Sequence, residues 1–251
     1  MIAVCFGGGT NSTAMLIGMY EKGIKPDFIT FSDTGGEKPA TYKHIEDMQK
    51  WLAKVQFPQI VIVKRVNYKG DVLTLEDDCL SKKSLPSLAY GFKTCSQKFK
   101  IQPQDKYFNN LPQAKAEFKA GRKITKFIGY DAGEERRAKI REDDKYTYEY
   151  PLIEWGWSRT ECIDAIDRAG IPRPGKSSCF FCPANRVTEI KEMSALNPDL
   201  ITRAVAMEAN AELTHVVGLG RSFAWRDVIA TDDMFNDGYI DIACGCYDGG
   251  S

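Results

Sequence analysis

The sequence predicts an α/β protein. Its core is a Rossmann-like, open, mostly parallel five-stranded sheet with helices on both faces. A mainly helical, cysteine-containing C-terminal extension follows. Three observations predict this fold. Short apolar runs alternate with segments of helical periodicity over residues 2–66. Three consecutive glycines, Gly7 to Gly9, join the first apolar run to the first helical segment. A chain of 251 residues, 43% hydrophobic and 27% charged, is long enough for a large α/β domain and a subdomain.

The elements follow in order. "IAVCF" (2–6) reads as a strand, and "NSTAMLIGMYEKG" (11–23) as a helix that Gly23 can end. "KPDFITFSDT" (25–34) is a second strand closing on a polar turn. In the helix 39–55, Tyr42, Ile45, Met48, Trp51 and Leu52 fall on one stripe. "QIVIVKRV" (59–66) is a β-branched third strand. Residues 71–110 are less regular. A polar helix over 111–123 returns to a fourth strand, "ITKFIGY" (124–130), and "YEYPLIEW" (148–155) is a fifth strand or an extended segment. Ser158 with Glu161 forms a capping box for the helix 158–170. After the loop 172–183, Pro183 suits the first position of a further helix, and helical sequence continues to about Leu213. The expected division is 1–157 for the α/β domain and 158–251 for the helical region.

Composition narrows the classes. Lys+Arg and Asp+Glu both number 34, so net charge favours no polyanionic partner. No apolar run approaches the ~18 residues of a membrane span. Met1 leads directly into the first strand, so no signal peptide and a cytoplasmic location are expected. Thiols stay reduced there, and the eight cysteines are expected to be metal-binding, catalytic or buried. Two histidines, His44 and His215, argue against a multi-histidine metal site and against a Ser-His-Asp triad.

Glycine costs roughly 0.5–1 kcal/mol relative to alanine inside a regular element, so three in a row need a reason. A glycine loop between a first strand and a first helix suits phosphate: bare backbone approaches closely, and helix-start amides attract anions. "GGGTNS" lacks the third glycine of the dinucleotide fingerprint, and no Gly-Lys-Ser/Thr follows it.

The loop Gly7-Gly8-Gly9-Thr10-Asn11-Ser12 resembles the pyrophosphate loop S-G-G-x-D-S of the adenine nucleotide α-hydrolase superfamily. "FSDTGGEKPATYKHI", "CSQKFKIQP" and "GYDAGEERRA" resemble, in the same order, segments of 3′-phosphoadenylylsulfate (PAPS) reductases. Similar combinations occur in the sulfur-transfer proteins of DNA phosphorothioation and in PAPS-reductase-like proteins of bacteriophages, the group this chain resembles most. For a phage-encoded chain the location would be the host cytoplasm. The resemblance spans about residues 1–185.

It implies an adenine nucleotide held by Phe6, Gly7, Gly8, Gly9, Thr10, Asn11, Ser12, Thr13, Ser32, Asp33, Thr34 and Gly129. Catalytic roles fall to Asn11, Ser12, Asp131, Glu134 and Arg137. Gly7 stands where the family usually has Ser, and Asn11 where it has Asp. The second change removes a carboxylate that suits Mg²⁺; Asp33, Asp131, Glu134 or Glu135 would replace it. Asn11 can still donate to a phosphate oxygen.

"SSCFFCP" is a C-x-x-C before a helix, a spacing for one metal or a redox pair. The resemblance adds Cys95. The fourth ligand is Cys79 by first choice, then Cys162 or Cys244. Four thiolates at Cys79, Cys95, Cys179 and Cys182 suit Zn²⁺ or a [4Fe–4S] cluster equally. Cys162 and Cys5 also read as core. Cys244-Gly245 echoes the reductases' nucleophilic Cys-Gly, without its flanking Glu and His.

Lys93, Lys98, Lys100 and Lys106 with Phe92, Phe99 and Tyr107 read as a solvated face over a small core, the alternative being a track for a nucleic-acid strand. Arg221, Trp225 and Arg226 are candidates to cover a nucleotide, and His215 reads as structural. The leading expectation is an enzyme that activates an acceptor by cleaving ATP between the α and β phosphates, for sulfur transfer or a related modification. Its partners would be the nucleotide and a nucleic-acid acceptor or sulfur-donor protein. A thiol-dependent sulfonucleotide reductase and a nucleotide-binding module without turnover are the alternatives.

Overall fold

The computed structural model describes residues 1–231. In chain order the elements are β1 (Ile2–Phe6), α1 (Thr10–Glu21), β2 (Phe28–Asp33), α2 (Pro39–Lys54), β3 (Ile60–Lys64), α3 (Leu75–Ser81), α4 (Thr94–Ser96), α5 (Gln102–Asn110), α6 (Pro112–Lys119), β4 (Ile124–Ile128), β5 (Tyr146–Glu149), α7 (Pro151–Glu154), α8 (Arg159–Arg168), α9 (Val187–Leu196), α10 (Pro198–Asn210) and α11 (Trp225–Ala230). The five strands form one open sheet in the order β3-β2-β1-β4-β5. Every neighbouring pair is parallel, with Cys5 beside Thr30 on one flank and Ile128 on the other.

Alternation along β1 shows how the layers are built. Val4 and Phe6 face a core shared with α1, α2 and α8, where Met15, Leu16, Met48 and Ile166 are buried. Ala3 faces the other side, against Phe108 of α5 and Ala114 of α6. Helices therefore cover both faces, as parallel strands require. The chain leaves β1 through α1 on one face and enters β4 through α6 on the other. The crevice between the carboxyl ends of β1 and β4 is thus a topological switch point, where open α/β sheets bind ligands.

Two boundaries and the burial of one expected ligand cover differ from the sequence reading. β5 spans Tyr146–Glu149 instead of 148–155, and it ends there because Pro151 opens a short helix. Pro183 lies outside any helix; α9 starts at Val187, where Glu189 Oε2 accepts from Arg186 N at 2.8 Å. Trp225 is wholly buried and Phe99 is buried, both in a second core of α3, the cysteine loop and α9–α11. Trp225 therefore cannot cover a ligand, and the basic-aromatic stretch 92–107 is divided between core and surface.

α4 and α5 are joined by a π-helical segment, Gln97–Ile101. Pro103 explains it. Its missing N–H leaves the Phe99 carbonyl without a helical donor. The Ser32 hydroxyl of β2 donates to that carbonyl instead, at 2.9 Å. The irregular turn thereby docks on the sheet and brings Lys100 and Gln104 to the crevice. No helix of the described residues is long and apolar enough to cross a membrane.

Candidate functional site

A cavity of about 450 Å³ opens at the switch point. Phe6, Gly7, Gly9, Thr10, Asn11 and Ser12 line it from the glycine loop, Ser32 from β2, and Gly129, Glu134 and Arg137 from the turn after β4. The glycines are required by shape. Gly8 has φ +72°, and a Cβ there would meet Thr41 Cγ2 at 3.1 Å and a Phe31 ring carbon at 3.3 Å. A Cβ on Gly129 would press on the Ser12 backbone, 2.9 Å from both N and Cα. Gly9 caps α1 in extended conformation without a side-chain cap, and the first turn carries no acid. The first-turn amides and the positive end of the helix dipole thus face the cavity unneutralised.

Buried bonds hold this loop. The Ser12 and Thr13 hydroxyls donate to Gly9 O at 3.1 and 2.9 Å. Thr13 Oγ1 also lies 2.8 Å from His44 Nε2 of α2. With its own proton committed to Gly9, the hydroxyl accepts from the ring, which assigns the Nε2–H tautomer. Burial lowers the His44 pKa and keeps the ring neutral.

Asn11 joins the loop to the acidic turn. Its Nδ2 donates to Asp131 Oδ2 at 3.0 Å and Glu134 Oε2 at 2.8 Å, and its Oδ1 accepts from Arg159 Nη1 at 3.0 Å. Asp131 in turn caps the 3-10 turn Ala132–Arg137, and Glu134 pairs with Arg137. An aspartate at position 11 would face two carboxylates at hydrogen-bond distance, so the amide relieves a charge conflict.

Several residues here lacked a sequence signal. Arg159, Lys176, Ser177, Arg186 and Glu189 line the cavity. Lys176 Nζ lies 2.8 Å from Glu189 Oε2. Although burial pushes the Glu189 carboxyl up, its bonds to Lys176 and to the Arg186 backbone N–H hold it below the usual range. The "GKSS" sequence at 175–178, just ahead of C-x-x-C, was the available hint.

Other expected residues sit elsewhere. Gly8 and Thr13 shape the loop from behind and do not line the cavity. Asp33 is held by Lys64 at 3.1 Å, Tyr42 at 2.8 Å and Gly35 N at 2.8 Å, outside the cavity. Asp131 reaches the site through Asn11.

Thr34 belongs to a second, smaller pocket of about 30 Å³ that Cys95, Cys179 and Cys182 also line. Cys79 is buried in the same core, and burial pushes its thiol up to about 12, with Asp78 and Cys95 adding to the shift. Cys162 packs in the first core and its thiol is likewise pushed up to about 12 by burial. Among the described residues, no three Cys, His, Asp or Glu side chains are grouped to hold a metal ion. The pocket has room for about two waters, far less than a four-iron cluster needs. The four cysteines as arranged do not fit a cluster. Cys244 lies outside the described residues.

The cysteine loop roofs the main cavity. Phe180 N donates to Gly36 O at 2.7 Å, and Cys179 Sγ lies 3.1 Å from Thr34 Oγ1. These bonds seat Ser177 over the loop, its Oγ 2.8 Å from where a Gly9 Cβ would be. The site thus offers a backbone anion cradle, nearby cations and the Glu134 carboxylate in one crevice, with Asp131 behind Asn11. The chain matches no family model and no curated protein.

Proposed function

We propose that the protein binds an adenine nucleotide with its phosphates on the Gly7–Ser12 loop and activates an acceptor by adenylation. The observation that carries this reading is the uncapped start of α1 opening into the switch-point cavity, ringed by Arg137, Arg159, Lys176 and Arg186. In the reaction an acceptor oxygen attacks the α-phosphorus, the bond to the bridging oxygen breaks, and pyrophosphate leaves with the electron pair. Charge grows on the leaving group, where the α1 amides and the cations attract it. Glu134, the member of the acidic turn that lines the cavity, would hold Mg²⁺ together with the phosphates, a common arrangement for that ion. Bound there, the ion would neutralise phosphate charge.

A second reading, binding without turnover, draws on Asn11, whose amide already engages both carboxylates. One assay separates the two. Protein with ATP and Mg²⁺ is screened against nucleic-acid and small-molecule acceptors for pyrophosphate. Release that depends on an acceptor is expected; saturable ATP binding with no pyrophosphate under any acceptor would establish the second reading.

A further inference from the structure

The cavity has two chemically different ends. Glycine-loop amides, Arg159 and Lys176 form the anion end. Cys5 and Ile128 also line the cavity, on the face of the sheet where Thr30 of β2 meets Gln104 of α5. Gln104 is only 3% exposed. The Thr30 hydroxyl donates to its Oε1 at 3.0 Å, a better contact than the 3.4 Å to Val4 O, and this fixes the amide's orientation. Among the described residues nothing accepts from Gln104 Nε2, although the residue lines the cavity. The Nε2 donor of this otherwise buried side chain is thus left for an acceptor in the cavity. A neutral amide donor beside the apolar side chains of Cys5 and Ile128 suits a heteroaromatic base better than a phosphate.

We propose that Gln104 selects the base, its Nε2–H donating to one ring nitrogen of the bound purine. The proposal rests on the nucleotide reading above and deepens it. The carbonyl end is already used by Thr30, so the side chain discriminates as a donor only. Selectivity then comes chiefly from rejecting bases that place a hydrogen or a donor at that point.

Calorimetry tests this with the wild type, Gln104→Leu and Gln104→Glu. The ligands are ATP, its 1-deaza, 3-deaza and 7-deaza analogues, 2′-deoxy-ATP and inorganic tripolyphosphate. Gln104→Leu is expected to weaken ATP about tenfold while leaving tripolyphosphate unchanged. One deaza analogue should bind the wild type about tenfold more weakly than ATP, and that difference should vanish in Gln104→Leu, the signature of a direct pair. Gln104→Glu keeps an oxygen for Thr30 and removes the donor, so it should repeat the loss. It also decides the matter if the leucine variant does not fold. Unchanged ATP affinity in either folded variant overturns the assignment. So do deaza ratios that are the same in all proteins, or coupling that appears with 2′-deoxy-ATP. Wild type that binds tripolyphosphate as tightly as ATP removes the base subsite and leaves the anion cradle standing. Binding of neither ligand removes the nucleotide reading and this one together.

Discussion

Asn11 is the residue on which sequence and geometry meet. Its departure from the acidic residue at this point of the resembling loops looks, in sequence, like a loss of metal-binding capacity. In space it is a compensation: one neutral amide bridges two carboxylates and accepts from Arg159. Asn11→Asp would set three carboxyl groups together and delete two donated hydrogen bonds. Without divalent ions the variant should lose about 1–3 kcal/mol. At about 2–4 °C per kcal/mol for a chain of this size, the shift is visible in a melting curve. Millimolar Mg²⁺ should restore most of it, because the new carboxylate completes a hard-oxygen site. A melting temperature indifferent to both the substitution and Mg²⁺ would contradict this account of position 11.

At the scale of elements, the glycine loop is held by its neighbours as well as by its own sequence. The Thr13–His44 bond ties α1 to α2 beneath the cradle. Burial holds His44 below its unfolded pKa of about 6.5. Below that pH the unfolded chain takes up a proton that the folded ring refuses, so stability is full above about pH 6.5 and declines on acidification. His44→Gln keeps a donor for Thr13 and cannot titrate. Denaturant unfolding at pH 7, 6 and 5 should therefore show the wild type losing stability relative to His44→Gln as pH falls; a constant difference would contradict it.

The strands and most helices were legible because apolar periodicity and the glycine turn are local signals. Ser158 and Glu161 form the capping box that their spacing predicts. The π-helical segment was not legible. Its cause is joint: Pro103 frees a carbonyl, and Ser32, 67 residues earlier than Phe99, supplies the missing donor. β5 was placed too late in the chain for a simpler reason: it runs over Tyr146–Glu149, and Pro151 starts a helix where the apolar run continued.

Across the whole molecule, two cores meet at the crevice. One unites the sheet with α1, α2 and α8; the other unites α3, the cysteine loop and the C-terminal helices. The glycine half of the site belongs to the first and was visible as a motif. The roof, with Lys176, Ser177 and Arg186, comes from the segment between α8 and α9, and only folding brings it over the loop. Arg159 was hidden in the same way, as one polar residue at the start of a helix. Gly129 shows how tightly the parts are fitted: it lets β4 pass against the Ser12 backbone at a distance no side chain tolerates.

That contact allows the most direct test of the central claim, that bare amides at the start of α1 hold phosphate. ATP is titrated by calorimetry into the wild type and into Gly129→Ala, with melting curves to confirm that both are folded. Saturable binding by the wild type is expected, and at least about tenfold weaker binding by the variant, since displacing the Ser12 backbone forfeits about 1.4 kcal/mol or more of amide–phosphate contact. Equal affinities in two folded proteins, or no heat of binding in the wild type, would contradict it.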